Sequence, residues 1–214
     1  MIYLARHGET TWNMIGRYQG RQESALSALG VRQATALGDY FYERLARGER
    51  VPSRVISSPL LRCTATAQVT ATRLGLPLET DERLIEIAHG TWEGRLRDEL
   101  AQNDPQRYHT WRHDPATVSF EGGESLRDVD ARWRAFAASL AGTEEDVLIA
   151  SHDAVVRIAI LAAEERPLDD FWKVKAENGA FARFTPDRPQ WQLLEECHVE
   201  HLADARASIA KQAL

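Results

Sequence analysis

Cysteine is scarce in this 214-residue chain: there are two, Cys63 and Cys197, far apart and in no C-x-x-C spacing. That excludes a disulfide framework, and the absence of a companion ligand pattern argues against structural zinc. A reducing, cytoplasmic setting is the expectation. Long apolar runs are missing as well. The stretch before Arg6 is too short for a secretory signal, and no segment reaches the length of a membrane span. There is no internal repeat, low-complexity tract or linker. The formal net charge of -6 argues against broad binding to nucleic acid or anionic membrane. An anionic substrate must therefore be met by a local basic pocket. What remains is ordinary: 43% apolar and 27% charged residues, in a length that suits one domain with a real core.

Periodicity and punctuation divide the chain into alternating elements. Residues 2–5 read as a short buried strand delivering Arg6 and His7. A helix is expected over 27–45, with Leu29, Gln33, Leu37, Phe41 and Leu45 on one face, ended by Gly48 and Pro52. Residues 54–57 read as a second strand. Ser58-Pro59 reads as an N-cap followed by proline at the first helical position, opening a helix to about Leu74. Residues 82–95 read as loop, and two short helices cover 96–113. Ser125 and Asp128 suggest a capping box for a helix with the stripe Leu126, Val129, Trp133, Phe136 and Leu140. A third strand is expected over 146–151, with a helix starting at His152. Two further strands are expected at about 179–185 and 190–195, and a terminal helix over about 203–213. Strands alternating with helices imply an α/β sandwich with a mostly parallel sheet. Ligands in such sheets sit beyond the carboxyl ends of the strands, where Arg6-His7, Ser57-Ser58 and Ser151-His152 all fall.

The first of these clusters belongs to the string Arg6-His7-Gly8-Glu9-Thr10-Thr11-Trp12-Asn13, followed by Gly16-Arg17-Tyr18-Gln19-Gly20. A histidine held at a strand end beside an arginine suits a phosphate ester. A neutral imidazole is a competent nucleophile near neutral pH, and a planar guanidinium grips a dianion. Phosphoryl transfer needs charge stabilisation and in-line placement, and little else.

Together with Ser57-Ser58-Pro59-Leu60-Leu61-Arg62, Leu84-Ile85-Glu86, Gly90, Glu93-Gly94, Gly122-Gly123-Glu124-Ser125 and Ser151-His152, these strings span nearly the whole chain. In that order they resemble the histidine phosphatase superfamily, which includes phosphoglycerate mutases. The resemblance implies a three-layer α/β/α sandwich, with residues of about 82–125 as a covering insertion. It implies that His7 becomes phosphohistidine, that Arg6, Arg62 and His152 surround the phosphoryl group, and that Asn13 donates a further hydrogen bond. Glu86 would be the proton donor and acceptor; Asp81, Glu82 and Glu93 are alternatives for that role. Burial would raise the pKa of Glu86 and the arginines would lower it. No cofactor or metal is implied. A homodimer is.

One departure stands out. Many members follow the second histidine with two glycines, whereas Asp153-Ala154 stands here, which brings a carboxylate towards the phosphate position unless it points away. Within the superfamily the chain resembles metal-independent phosphoserine phosphatases, through Gly16-Arg17-Tyr18-Gln19-Gly20, the stretch from Ile85 to Trp92, Glu121-Gly122-Gly123-Glu124-Ser125-Leu126, Phe171-Trp172 and Cys197-His198. That likeness implies O-phospho-L-serine as substrate, recognised through His89, the segment around Cys197 and Gln19; Gly20 and Asp153 are further candidates for substrate contact. A broad-specificity or α-ribazole phosphate phosphatase, a phosphoglycerate mutase and a non-catalytic phospho-ligand binding module are the alternatives. Other polar pairs read more simply. His109 and His113, four apart, suit a helix surface; Asp169-Asp170 suits an exposed helix end. His198 and His201 suit a solvated segment or a substrate contact better than a metal pair.

Overall fold

The protein is described from a computed structural model covering residues 1–187 and 190–206. Six strands form one sheet: β1 (Ile2–Arg6), β2 (Arg54–Ser57), β3 (Leu78–Thr80), β4 (Val147–Ser151), β5 (Phe181–Thr185) and β6 (Gln192–His198). Their order is β3-β2-β4-β1-β5-β6. The first four run parallel, and β5 and β6 are added antiparallel at one side. The seven α-helices among the described residues are α1 (Thr11–Met14), α2 (Ala28–Ala46), α3 (Leu61–Leu74), α4 (Arg97–Asn103), α5 (Pro105–His113), α6 (Leu126–Leu140) and α7 (Asp153–Ala163).

Successive side chains of a strand point to opposite faces, and each face needs its own cover. Ile2 and Leu4 of β1, Ile56 of β2 and Val147 and Ile149 of β4 join one core with the apolar stripes of α6 and α7. Tyr3 and Ala5, Val55, and Leu148 and Ala150 join the other, with Leu37 and Phe41 of α2 and Cys63, Ala67 and Ala71 of α3. The result is a three-layer α/β/α sandwich. No helix among the described residues is long and apolar enough to cross a membrane.

Local chemistry explains most boundaries. Ser27 caps α2 by accepting from Gly30 N, and Ser125 with Asp128 forms the capping box of α6. Leu45, in the last turn of α2, is exposed. Two short elements, β3 and α1, have too few residues to show periodicity and escape sequence reading. The start of α3 also differs from expectation. The helix opens at Leu61, not at Pro59, because the Ser58 hydroxyl is turned to His152 Nε2 at 2.8 Å. The carboxylate of Glu23 takes over the cap and accepts from Leu61 N at 3.1 Å. At the C-terminus a kinked 3-10 turn spans Glu200–Ala205. The remainder of the helix expected over 203–213 lies outside the described residues.

Candidate active site

The register of the sheet brings the polar strand ends to one level. Arg6 of β1 lies opposite Ser151 of β4, and Ser57 of β2 opposite Ala150. The chain then leaves the sheet at His7, Ser58 and His152, with His7 N donating to Ser151 O at 2.9 Å and Ser58 N to Ala150 O at 2.9 Å. Because β5 runs the other way, the loop that precedes it folds back over the same edge. From there Asn178 Nδ2 donates to His7 O at 3.0 Å, and Arg6 Nη1 donates to Ala176 O at 2.6 Å.

His7 is buried, and its Nδ1 lies 2.7 Å from Gly8 O. A carbonyl oxygen only accepts, so Nδ1 carries the proton and the lone pair is on Nε2. Burial, reinforced by the charges of Arg62 and Arg6, pushes the pKa of His7 well below the usual histidine value. The ring is therefore neutral. Gly8 keeps it in place: its N–H donates to Thr66 Oγ1 at 3.0 Å, and Thr66 Oγ1 donates to Arg62 O one turn back on α3. A β-carbon at Gly8 would lie 2.5 Å from Gly30 O, so only glycine lets this loop rest on α2.

A small, partly open recess lies beside the His7 ring, lined by Arg6, His7, Asn13, Gln19, Gly20, Glu86 and His89. Asn13 Oδ1 accepts from Thr10 N at 3.0 Å, which leaves its Nδ2 to donate. Gln19 Oε1 likewise accepts from Thr10 Oγ1 at 2.9 Å. Arg62 approaches from α3, donating through Nη1 to Gln22 O and through Nη2 to Gly20 O, while its Nε and that of Arg6 have no hydrogen-bond partner among the described residues. The His152 ring stands 5.2 Å from the His7 ring, edge on, with Ser58 Oγ and the Cys63 thiol against its Nε2. Burial and then Arg62 push its pKa well below the ordinary value, so it too is neutral.

Glu86 lies in the pocket wall, with Oε1 accepting from Ile87 N at 2.9 Å and from Ala154 N, at the start of α7, at 3.3 Å. Those bonds and the two arginines favour the carboxylate. Burial and the neighbouring Asp153 outweigh them and raise its pKa to about 7. Asp81 is instead paired with Arg83 at 2.6 Å, and Glu93 accepts from His89 N at 3.0 Å and from Arg21 N. Glu93 thereby ties together the two loops that carry Gln19 and His89. His89 sits edge-on to Tyr18, Phe120 and Trp111, and neither ring nitrogen has a partner. Desolvation, helped by Arg62, lowers its pKa to about 3.

Two residues expected at the substrate are not brought to this pocket. The Asp153 carboxylate is drawn behind Arg6, 2.7 Å from its Nη1, and is also paired with Arg157. A buried carboxylate settles between two guanidiniums in preference to facing an anion site. Cys197 lies on β6, separated from β1 by β5, beside a small recess that also touches Val156 and Lys175. Nor are His198 and His201 a solvated segment: both rings stack on Phe181 and lie tilted beside Tyr40. Among the described residues no group of three or more His, Cys, Asp or Glu side chains could hold a metal ion. Sequence reading assigned no role to Thr66 or Asn178. Their contribution is hydrogen bonding to the backbone of residues 7 and 8, which leaves no mark in composition or spacing.

An α/β/α sandwich with an electron-rich imidazole, two guanidiniums and a protonatable carboxyl at its strand ends is the frame of a phosphoryl-transfer enzyme. The chain belongs to the histidine phosphatase superfamily (branch 1), whose profile matches residues 2–197, and it is a phosphoric monoester hydrolase. It is 33% identical over 183 residues to phosphoserine phosphatase 1 of Hydrogenobacter thermophilus, covering 85% of this chain and 84% of that one. It is 28% identical over 183 residues to the adenosylcobalamin/alpha-ribazole phosphatase of Escherichia coli, covering 85% and 87%. Among solved structures, a mycobacterial glucosyl-3-phosphoglycerate phosphatase in complex with VO3 superposes with a TM-score of 0.79 at 28% identity, covering 90% of this chain and 96% of that one. The names of these relatives agree on phosphate-ester hydrolysis and differ on the substrate.

Proposed function

We propose that this chain hydrolyses a small phosphate monoester, O-phospho-L-serine, without a metal and through a phosphohistidine at His7. The observation that carries the reading is the state of His7: neutral, with Nδ1 engaged by Gly8 O, the lone pair left on Nε2, and the charges of Arg62 and Arg6 beside the ring. In the first step the Nε2 lone pair attacks phosphorus and the P–O ester bond breaks. Glu86, protonated around neutral pH, gives its proton to the leaving alkoxide. In the second step the Glu86 carboxylate takes a proton from water as that water attacks phosphorus, and the P–N bond breaks to release phosphate. The guanidiniums of Arg6 and Arg62, the Asn13 amide and the neutral His152 ring offer hydrogen bonds to the equatorial oxygens, where charge accumulates. Residues 82–125 serve as the cover that brings Glu86 and His89 to the site.

Gln19, whose Nε2 remains to donate, and His89, with two unpartnered ring nitrogens, supply polar contacts for an amino-acid moiety. The free thiols Cys63 and Cys197 agree with action in a reducing cytoplasm. The test is phosphate release from a panel of esters in the presence of EDTA, with phosphoglycerate isomerisation followed in parallel. O-phosphoserine should rank first and EDTA should have no effect. Equal rates on many unrelated esters, or preference for α-ribazole phosphate, would overturn the substrate. Full activity of His7→Ala would overturn the mechanism.

A further inference from the structure

Asp153 is fully buried one residue after His152, yet it lines no part of the pocket. Oδ1 lies 2.7 Å from Arg6 Nη1, and Oδ2 accepts from Arg157 Nε, one turn further along α7. Arg157 is fixed from its far side. It donates to the carbonyls of Phe171 and Val174, and its guanidinium lies 5.4 Å and 5.3 Å from the rings of Phe171 and Trp172. A carboxylate shared by two buried guanidiniums stays in one place. The next residue, Ala154, binds Glu86 Oε1 through its N–H. The start of α7 therefore touches both the phosphate-binding arginine and the acid.

We propose that Asp153, anchored by Arg157, is a positioning residue for phosphoryl transfer: it aims the Arg6 guanidinium and places a fixed negative charge beside Glu86 that tunes this carboxyl as proton donor. The inference rests on the reading of Glu86 as the acid. Three charged groups face Glu86: Asp153 on α7, Arg62 on α3 and Arg6 at the end of β1. His7 and His89, neutral in the same pocket, the neutral His152 ring beside His7, and the Cys63 thiol are further titratable groups around it. Asp153 is the one negative neighbour in this set. It opposes two arginines, and its pairing with Arg6 weakens one of them. Arg157 reaches Glu86 through Asp153, which it holds.

The experiment is the pH dependence of kcat/KM for O-phosphoserine, an alkyl ester whose leaving group needs a proton, and for 4-nitrophenyl phosphate, whose leaving group does not. Asp153→Asn keeps the shape and removes the charge. It should move the basic limb of the O-phosphoserine profile to lower pH by about one unit, with Asp153→Glu restoring it. With 4-nitrophenyl phosphate, whose profile lacks that limb, the same variant should lose rate without a shift. Should Asp153→Asn fail to fold, the double variant Asp153→Asn/Arg157→Met, which removes one charge of each sign, carries the same prediction. Glu86→Gln separates the two failures. If it leaves the basic limb in place, the reading of Glu86 is wrong. If it abolishes the limb while Asp153→Asn leaves it unmoved, only the positioning role falls.

Discussion

Glu86 shows how a single buried carboxyl trades stability for chemistry. Its pKa is about 7 in the folded protein, against 4.5 for an unperturbed glutamate. Below pH 4.5 it is protonated in both the folded and the unfolded chain, and its contribution is fully present. As pH rises towards 7 the unfolded chain releases the proton and the folded chain keeps it, so stability is lost, by about 3 kcal/mol at pH 8. Glu86→Gln, which keeps the acceptor for Ile87 N and Ala154 N, should unfold at a higher temperature than the parent at pH 8 and at the same temperature near pH 4. A difference independent of pH would show that the carboxyl is not held protonated. The same substitution should depress turnover of an alkyl phosphate by about 10²-fold or more, since general acid–base help is of that order. Gain of stability with loss of activity is the signature expected of a site residue as opposed to a packing residue.

Among the elements, α6 and α2 have separable tasks. α6 covers the sheet face away from α2 and α3, and its capping box at Ser125 lies outside the pocket. Ser125→Ala should therefore cost about 1 kcal/mol, seen as a fall in Tm of about 2–4 °C, with steady-state kinetics unchanged. A loss of activity in proportion would mean that α6 helps shape the site. α2 is different, because its first turn carries the His7 loop. A β-carbon at Gly30 would sit 2.0 Å from Glu9 O, where backbone cannot yield cheaply. Gly30→Ala should cost upwards of about 2 kcal/mol and lower kcat as well, because the displaced segment runs directly into Gly8 and His7. Retention of full kcat in that variant would show that the loop can relax independently of the helix.

The whole molecule has to hold the buried imidazoles of His7, His89 and His152 in the neutral form. Each has a pKa lowered from the ordinary 6.5, that of His89 to about 3. For such groups the stability contribution is complete above pH 6.5 and is lost as pH falls, because the unfolded chain takes up protons that the folded chain refuses. His89 alone should cost about 2 kcal/mol on going from pH 8 to pH 5, His7 and His152 act in the same direction, and together they outweigh the opposing change at Glu86. Tm should therefore be higher at pH 8 than at pH 5, measured by thermal denaturation at fixed ionic strength. An equal or higher Tm at pH 5 would mean that these rings take up protons in the folded state, which would also deny His7 its lone pair.

Much of this was legible beforehand where local chemistry decides. The Ser125 cap, the stripes of α2 and α6, and the buried runs of β1 and β4 follow from spacing alone, because helix and strand impose different side-chain periods on one chain. The same strand ends marked Arg6, His7, Ser58 and His152, and the string order brought in Arg62 and Glu86. What spacing cannot carry is the partner a side chain finds across the fold. Ser58 looks like a cap and serves His152, while Glu23, from a distant loop, caps α3 in its place. Asp153 looks like an intruder at an anion site, yet Arg6 and Arg157 draw it aside. The contest over Glu86 between burial and the arginines was open until packing set how dry the carboxyl is and which charge stands beside it. Sequence by itself determined the sandwich and the chemical groups at its edge, since these rest on periodicity and on residue type. Tertiary structure alone decided which buried charges neutralise one another, because those energies depend on distance and exclusion of water, and neither exists until the chain has closed.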